Sequence, residues 1–385
     1  MMPPFERARQ LTAARSRCKP RCLRCDCRDT GAIECFGHRS SAIVAPVATG
    51  RAEMRTVQRP HCIACGSSGT ELYKDLPDRL FSAPGTWTIK RCDNTQCETL
   101  WLDPAPAPED LGEIYGDYFT HGKSDRKLSK AKRAYLETRY GAKPTSATDR
   151  LLAALFATRR RRKMEIDDQV FHLKRDSRPQ RVLDVGCGSG DALWTLSELG
   201  WETVGVEFDA KAAEAARAKG LTVHVGDITE QNFADASFDA VTLSHVIEHL
   251  PDPHTTLREC HRILKPGGSL TMLTPNAGGL GHRIHKVDWM ALDPPRHLNI
   301  YTVDSMKRLV ADCGFANAEV TSSASGSDRI AMTSSAIRKA GHADLGAKPG
   351  FLVKRVARLQ HALQAGLVKV NGKLGDQLVV KAWKT

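Results

Sequence analysis

The sequence predicts an α/β fold built on a doubly wound, mostly parallel sheet, and three features of the 385-residue chain carry that reading. From residue 181 onward, short apolar runs of strand type alternate with segments of helical periodicity. One junction, VLDVGCGSG at 182–190, joins a strand to a helix through Gly186, Gly188 and Gly190. The helix that follows carries Leu193, Leu196 and Leu199 at three-residue spacing. A strand–glycine loop–helix unit presents unpaired backbone N–H groups to a ligand. Alternation of this kind makes βαβ units, with helices on both faces of the sheet and ligands at the C-terminal strand ends.

Each element has its own signal. VLDVG (182–186) is the first strand and WETVGVEF (201–208) the second, after which Asp209 is a natural N-cap for an alanine-rich helix ending at Gly220. LTVHVGDI (221–228) and FDAVTLSHV (238–246) are the third and fourth strands. Asp252-Pro253 opens a helix that stops at Pro266-Gly267-Gly268, and SLTMLTP (269–275) is the fifth strand. A helix over 301–314 leads to the short strand AEVTS, and GDQLVVKAWK (375–384) reads as the last strand. The basic helical stretch 335–370 is then an insertion between the final two strands.

The N-terminal part is different. Residues 1–53 interleave Cys18, Cys22, Cys25, Cys27 and Cys35 with arginines, show no periodicity, and read as a disordered leader, with Met54 a candidate natural start. Residues 54–103 hold Cys62-x2-Cys65 and Cys92-x4-Cys97, each pair beside a turn, with strand-like YKDLPDRLF and TWTIKRC between them. Two such pairs can supply four thiolates to one tetrahedral zinc ion, as in a zinc ribbon. A four-thiolate site is closed, so its role would be structural. PAPAPED at 104–110 is a stiff connector, and the linker and basic helical segment run from 104 to 180.

Charge follows the same division. The chain carries +12 overall, with +5 in residues 1–53, +11 in 121–181 and +8 in 331–385, which leaves −12 for the remainder. The α/β core is therefore acidic and the appendages basic, which suits an anionic partner such as a phosphorylated substrate, a lipid surface or nucleic acid. No apolar run approaches the roughly 20 residues needed to span a bilayer, and no secretion signal is evident. Twelve cysteines without such a signal favour reduced thiols or metal ligands, and a cytoplasmic location.

The motif order resembles the class I S-adenosylmethionine-dependent methyltransferases: VLDVGCGSG, then Glu207 ending the second strand, Gly226-Asp227-Ile228, LSHVIEHLPDP and LKPGG. The resemblance covers roughly 180–330 and the terminal strand. It implies a seven-stranded Rossmann-like sheet in a domain over 181–385, and S-adenosylmethionine as cofactor. By that resemblance the cofactor would lie against Asp184, Gly186, Cys187, Gly188, Gly190, Glu207, Phe208, Asp227, Ile228, Ser244 and His245. Asp184 would accept from its ammonium group, Glu207 from both ribose hydroxyls and Asp227 from the adenine amine, with Ile228 packing on the ring. The cysteine module together with DPPRHLNIYT (293–302) resembles bacterial methyltransferases acting on sugars, glycolipids and other metabolites.

The expected reaction is an in-line displacement at a sulfonium methyl, O-methylation being favoured and C- or N-methylation the alternative. An oxygen acceptor needs a base, and His245, His249 and His297 titrate near neutrality. Arg296 is placed to hold a phosphate or carboxylate of a small-molecule, glycan or lipid-linked substrate. The glycine-rich stretch 277–290 with Trp289 reads as a mobile substrate flap. His245-Val246-Ile247-Glu248-His249 also matches the H-x-x-E-H metalloprotease signature, but that chemistry needs one long helix, and here a strand precedes it and Pro251 follows. A nucleic-acid surface made of the cysteine module and Arg159–Lys163 is disfavoured by the acidic core.

Overall fold

The computed structural model describes residues 54–115 and 128–385. The leader expected over 1–53 lies outside the described residues. Five strands come first: β1 (Thr56–Val57), β2 (Gly69–Pro77), β3 (Thr86–Cys92), β4 (Leu100–Leu102) and β5 (Ala105–Pro106). β2, β3 and β4 form an antiparallel meander, and β1 pairs with β5. Of the two expected strands between the cysteine pairs, TWTIKRC is present as β3, whereas YKDLPDRLF is strand only to Pro77 and then turns on Asp78, which accepts from Leu80 N and Phe81 N.

Three helices follow: α1 (Lys130–Tyr140), α2 (Ala147–Ala157) and α3 (Arg160–Gln169). Ser129 and Ser146 cap the first two, each accepting a backbone N–H through its hydroxyl. One apolar side of the first two is buried: Tyr135, Leu136, Tyr140 and Phe156 pack with Val182, Leu196 and Trp201 of the sheet domain, while Leu151 and Leu155 of α2 stay exposed. Asp167 is buried at the centre of this contact, accepting from the hydroxyls of Tyr135 and Tyr140 and from Lys163. In the Arg159–Lys163 run, Arg161 pairs with Asp328 and Lys163 with Asp167, so two of those cations serve packing and not a ligand surface.

The main domain runs β6 (Arg181–Val185), α4 (Asp191–Glu198), β7 (Glu202–Glu207), α5 (Ala210–Arg217), β8 (Thr222–Val225), β9 (Phe238–Ser244), α6 (Pro253–Ile263) and β10 (Leu264–Pro275). It continues with α7 (Leu280–His285), β11 (Asn299–Ile300), α8 (Val303–Asp312), β12 (Asn317–Ser323), α9 (Ser327–Ala340), α10 (Phe351–Val370) and β13 (Gln377–Trp383). Seven strands form one sheet in the order β12-β13-β10-β9-β6-β7-β8. β13 is antiparallel to both its neighbours, and the β10–β9–β6–β7–β8 pairings are all parallel. Strand order reverses between β6 and β9, and the C-terminal ends of those two strands are where a crevice opens in such sheets.

Two details differ from expectation. The helical insertion before the last strand begins at Ser327 instead of 335, because Gly326 in the left-handed region starts α9 and Gly341 ends it. The stretch 277–290 is an ordered wall and not a flap. It contains α7, Trp289 is 1% exposed, and His282 stacks on its ring at 5.0 Å.

The cysteine module is tied to the main domain by backbone. β11 pairs antiparallel with β4, Ile300 facing Leu100, and completes a four-stranded sheet with the meander. Arg59 donates to the Leu298 carbonyl at 3.1 Å and to Asn299 at 2.8 Å, and Thr302 donates to the Cys97 carbonyl at 2.8 Å.

Candidate active site

The glycine loop between β6 and α4 holds three left-handed residues, Gly186 (φ +70°), Gly188 (φ +54°) and Gly190 (φ +79°). Their surroundings differ. A Cβ on Gly186 would lie 2.3 Å from Val246, and one on Gly190 would lie 2.5 Å from Leu221, so protein packing requires both. A Cβ on Gly188 would meet nothing within 4 Å; that is the open side of the cradle. Glu207, at the end of β7, reaches back to this residue: its carboxylate accepts from Gly188 N at 2.7 Å and from Asp209 N at 2.9 Å. Asp184 is buried at the end of β6 and accepts from the Thr242 hydroxyl at 2.7 Å. Burial pushes its carboxyl up to about 7.

Beyond β9 the backbone turns at His245, whose φ of +55° is unusual for a non-glycine residue. Its Nδ1 lies 3.1 Å from Glu248 Oε1. Glu248 has no exposed surface, and its other oxygen accepts from the Thr274 hydroxyl at 2.9 Å. A carboxylate is an acceptor, so Nδ1 carries the proton and Nε2 of His245 is left as the basic nitrogen. Desolvation opposes charging of this half-exposed ring, but the Glu248 carboxylate, helped by the Gln377 side chain, outweighs it and holds His245 above its ordinary value. Burial would likewise raise Glu248, yet His245 and the neighbouring histidines hold it down at about 2.

His249 and His297 stand edge to face, with centroids 4.8 Å apart. His249 Nδ1 donates to the Arg296 carbonyl at 3.0 Å and His297 Nδ1 to the Ala291 carbonyl at 2.7 Å. Burial and their mutual proximity push His249 down to about 4, and burial lowers His297 too, so both rings are neutral near pH 7. His245 and His297 line one cavity of about 280 Å³, whose other walls include Leu80, Phe81, Met290, Ala291, Ile330 and Leu345. Asp293, Asp376 and Gln377 give it a few polar points. Leu80 and Phe81 come from the cysteine module and Ile330 from α9, so the cavity draws on both the module and the main domain.

The family described as "Methyltransferase domain" matches residues 149–320, which contain the glycine loop, Glu207 and the His245–Glu248 pair. This chain carries a methyltransferase domain with a Rossmann-like sheet. It is similar to the ubiquinone biosynthesis O-methyltransferase of Xanthomonas oryzae pv. oryzae, 40% identical over 103 residues, 25% of this chain and 43% of that protein. The enzyme of the same name from Pseudomonas aeruginosa is 34% identical over 104 residues, 25% of this chain and 45% of its own. The match thus spans less than half the length of these relatives. Among solved structures, a Thermotoga maritima S-adenosylmethionine-dependent methyltransferase, described as a possible histamine N-methyltransferase, aligns at 20% identity over 60% of this chain and 92% of its own, with TM-score 0.40.

Within the methyltransferase domain, some expected site residues are occupied otherwise. Arg296 is not available to a substrate anion: it is fully buried, bidentate to Asp78 at 2.7 and 2.8 Å, and bonded through Nε to Asp293 at 3.0 Å. Its guanidinium also lies over the Phe81 ring, 4.4 Å from the centroid. Arg296 therefore fixes the Leu80–Phe81 wall and acts as a packing residue. Ile228 is 1% exposed within the core, so it does not present an open face to a ring. Cys187 is 8% exposed and packs inward with Leu193 and Val223, so the loop would contact a ligand there through its backbone. Asp227 N-caps the short turn Ile228–Glu230, accepting from Thr229 N at 2.8 Å. Phe208 is 70% exposed beside Glu207, and Ser244 is partly buried at the end of β9.

The four cysteines of the module come together. The sulfurs of Cys62, Cys65, Cys92 and Cys97 all lie within 4.8 Å of one another, with Cys62–Cys97 at 3.7 Å and Cys65–Cys92 at 3.4 Å. A zinc tetrahedron with Zn–S of about 2.3 Å has S–S edges of about 3.8 Å, so the donor set fits that ion. The wider second pair is accommodated by a turn in which Cys97 N donates to the Asn94 carbonyl at 2.8 Å. Sequence reasoning missed Glu248, Asp78, Asp293 and Gln377. Only Glu248 had a local signal, its three-residue spacing from His245.

Proposed function

We propose that this protein transfers a methyl group from S-adenosylmethionine to an oxygen of a small, largely apolar acceptor. The observation that carries this is the His245–Glu248 pair, set between the glycine loop and an apolar cavity. The O-methyltransferase relatives support an oxygen acceptor. Among the small-molecule, glycan and lipid-linked acceptors that the sequence leaves open, the cavity walls of Leu80, Phe81, Met290 and Ile330 favour an apolar one over a glycan.

When bound, the cofactor supplies a sulfonium methyl already activated for displacement. Glu207, preset by two backbone amides, would hold the ribose hydroxyls, and Asp184 would face the ammonium group. His245 Nε2 would take the acceptor's hydroxyl proton as the oxygen attacks, while Glu248 fixes the ring's tautomer and stabilises its charge. Leu80 and Phe81, held by the Asp78–Arg296 pair, would keep water from the reacting atoms. The cysteine cluster would hold a structural zinc that secures this wall from the other end of the module.

Two measurements test the reading. Incubation of the full chain with methyl-deuterated S-adenosylmethionine and a metabolite and lipid extract should label a small hydroxylated compound, read by mass spectrometry. Label confined to RNA or protein would overturn the substrate class. Metal analysis of the purified full chain should return one zinc per chain, lost in the Cys62→Ser/Cys97→Ser double variant; no bound zinc in the unmodified protein would overturn the metal assignment.

A further inference from the structure

α10 presents an apolar face that nothing in the described chain covers. Leu352, Val356, Leu359, Leu363 and Val370 recur at steps of four, three, four and seven residues and are 73, 57, 70, 59 and 88% exposed. That spacing places them on one side of a helix about 30 Å long. The opposite side is where α10 docks, with Ala357 and Gln364 buried. Along the flank lie Lys354, Arg355, Arg358 and Lys369, and α10 contains no acidic residue. None of these four cations forms an ion pair among the described residues; Arg355 lies over the Phe351 ring instead. A helix of a soluble domain does not ordinarily leave five large aliphatic side chains in water.

We propose that α10 docks this protein on an anionic lipid surface, lying in the plane of the head groups with its apolar face immersed. Charge decides between occupants. A second copy of the chain would bring two all-cationic helices together and bury like charges against each other, whereas an anionic bilayer satisfies the apolar stripe and the cations at once. Among the described helices none is long and apolar enough to cross a membrane, and α10 with its four cations is an interfacial helix. The helix is also coupled to the cavity. Gln364 Nε2 donates to Asp376 at 2.7 Å, and His361 lies 2.9 Å from the Ser327 hydroxyl at the start of α9, the helix that supplies Ile330. Docking would therefore set the acceptor cavity close to the lipid phase, where an apolar acceptor is concentrated. That consequence rests on the function proposed above; the docking itself does not.

The test is vesicle co-sedimentation of the full chain, with phosphatidylglycerol–phosphatidylcholine vesicles against phosphatidylcholine alone. Binding is expected to the anionic vesicles, to weaken as salt is raised, and to fall by about tenfold in Leu359→Glu/Leu363→Glu. Arg355→Glu/Arg358→Glu, which leaves the apolar face intact, should lose the preference for anionic lipid. Both variants should bind S-adenosylmethionine as the unmodified chain does, which separates a failure here from a failure of the methyltransferase reading. Equal sedimentation with the two vesicle types would overturn the proposal. So would a dimer in size-exclusion chromatography that the Leu359/Leu363 variant dissociates while the unmodified chain ignores lipid.

Discussion

Glu248, without any exposed surface, takes the Nδ1 proton of His245 in a 3.1 Å hydrogen bond, and this pairing sets both the tautomer and the basicity of the ring that faces the cavity. The carboxylate raises His245, a half-exposed ring, above its ordinary value of 6.5 in spite of partial desolvation. A base works in its neutral form, so kcat should climb with pH along an acidic limb positioned above 6.5. In Glu248→Gln the charge is gone, His245 falls, and that limb should move to lower pH. The plateau should drop by on the order of 10²-fold or more, because the tautomer is no longer enforced. A kcat–pH profile whose limb stays in place would show that another group is the base.

Asp184 gives a second pH signature, in binding. Its carboxyl sits at about 7 against an ordinary 3.8 because it is buried. Holding an ammonium group requires the ionised form, so affinity for S-adenosylmethionine should be full above pH 7 and weaken as pH falls below it, approaching tenfold per unit. The same shift means that the empty site's contribution to folding stability is largest at low pH and declines as pH rises from 3.8 to 7. Calorimetric titration between pH 6 and 8 measures the binding effect. Asp184→Asn should bind more weakly and with a flat pH dependence; an unchanged slope would remove Asp184 from the cofactor's partners.

The Arg296 assignment is tested by stability. Removing the guanidinium leaves Asp78 and Asp293, both buried, without their cation. Arg296→Ala should therefore cost about 3–5 kcal/mol in chemical denaturation. Arg296→Met should also destabilise, since it fills the volume but not the charge. Cofactor affinity should be little changed in any variant that still folds. A stable Arg296→Ala protein with a raised acceptor KM alone would restore the substrate-anchor reading.

The main sheet was legible because each of its signals is local. Alternating periods placed the strands, and Glu207 followed from its position at a strand end. The cysteine pairs were legible for the same reason, since each knuckle is closed by its own turn, as in the Gly66 N to Cys62 carbonyl bond of 2.8 Å. The failures are long-range. Arg296 looked like a loop cation because its partner Asp78 is 218 positions away, and nothing near PPRHL reveals it. The stretch 277–290 looked mobile because of its glycines. Gly281 is there for space: a Cβ would lie 2.6 Å from the Asp376 carboxylate, whose Oδ1 accepts from Gly281 N. Glycine content alone does not distinguish mobility from close packing.

The same ambiguity within the cofactor loop yields a prediction that separates folding from binding. Gly186→Ala would place a methyl 2.3 Å from Val246 at a φ of +70°, so backbone and side chain must both shift. That variant should be strongly destabilised, with any loss of cofactor affinity following from a damaged loop. Gly188→Ala meets no neighbour within 4 Å and carries only the cost of its positive φ, about 1–2 kcal/mol. Its new methyl projects from the residue whose N–H bonds Glu207, on the open side of the cradle. Gly188→Ala should therefore keep its fold, with a modest drop in Tm, and lose affinity for S-adenosylmethionine by tenfold or more, about 1.4 kcal/mol. Thermal melts with calorimetric titration of both variants decide the matter. Unimpaired binding in a folded Gly188→Ala protein would mean the cofactor does not approach the loop at this residue.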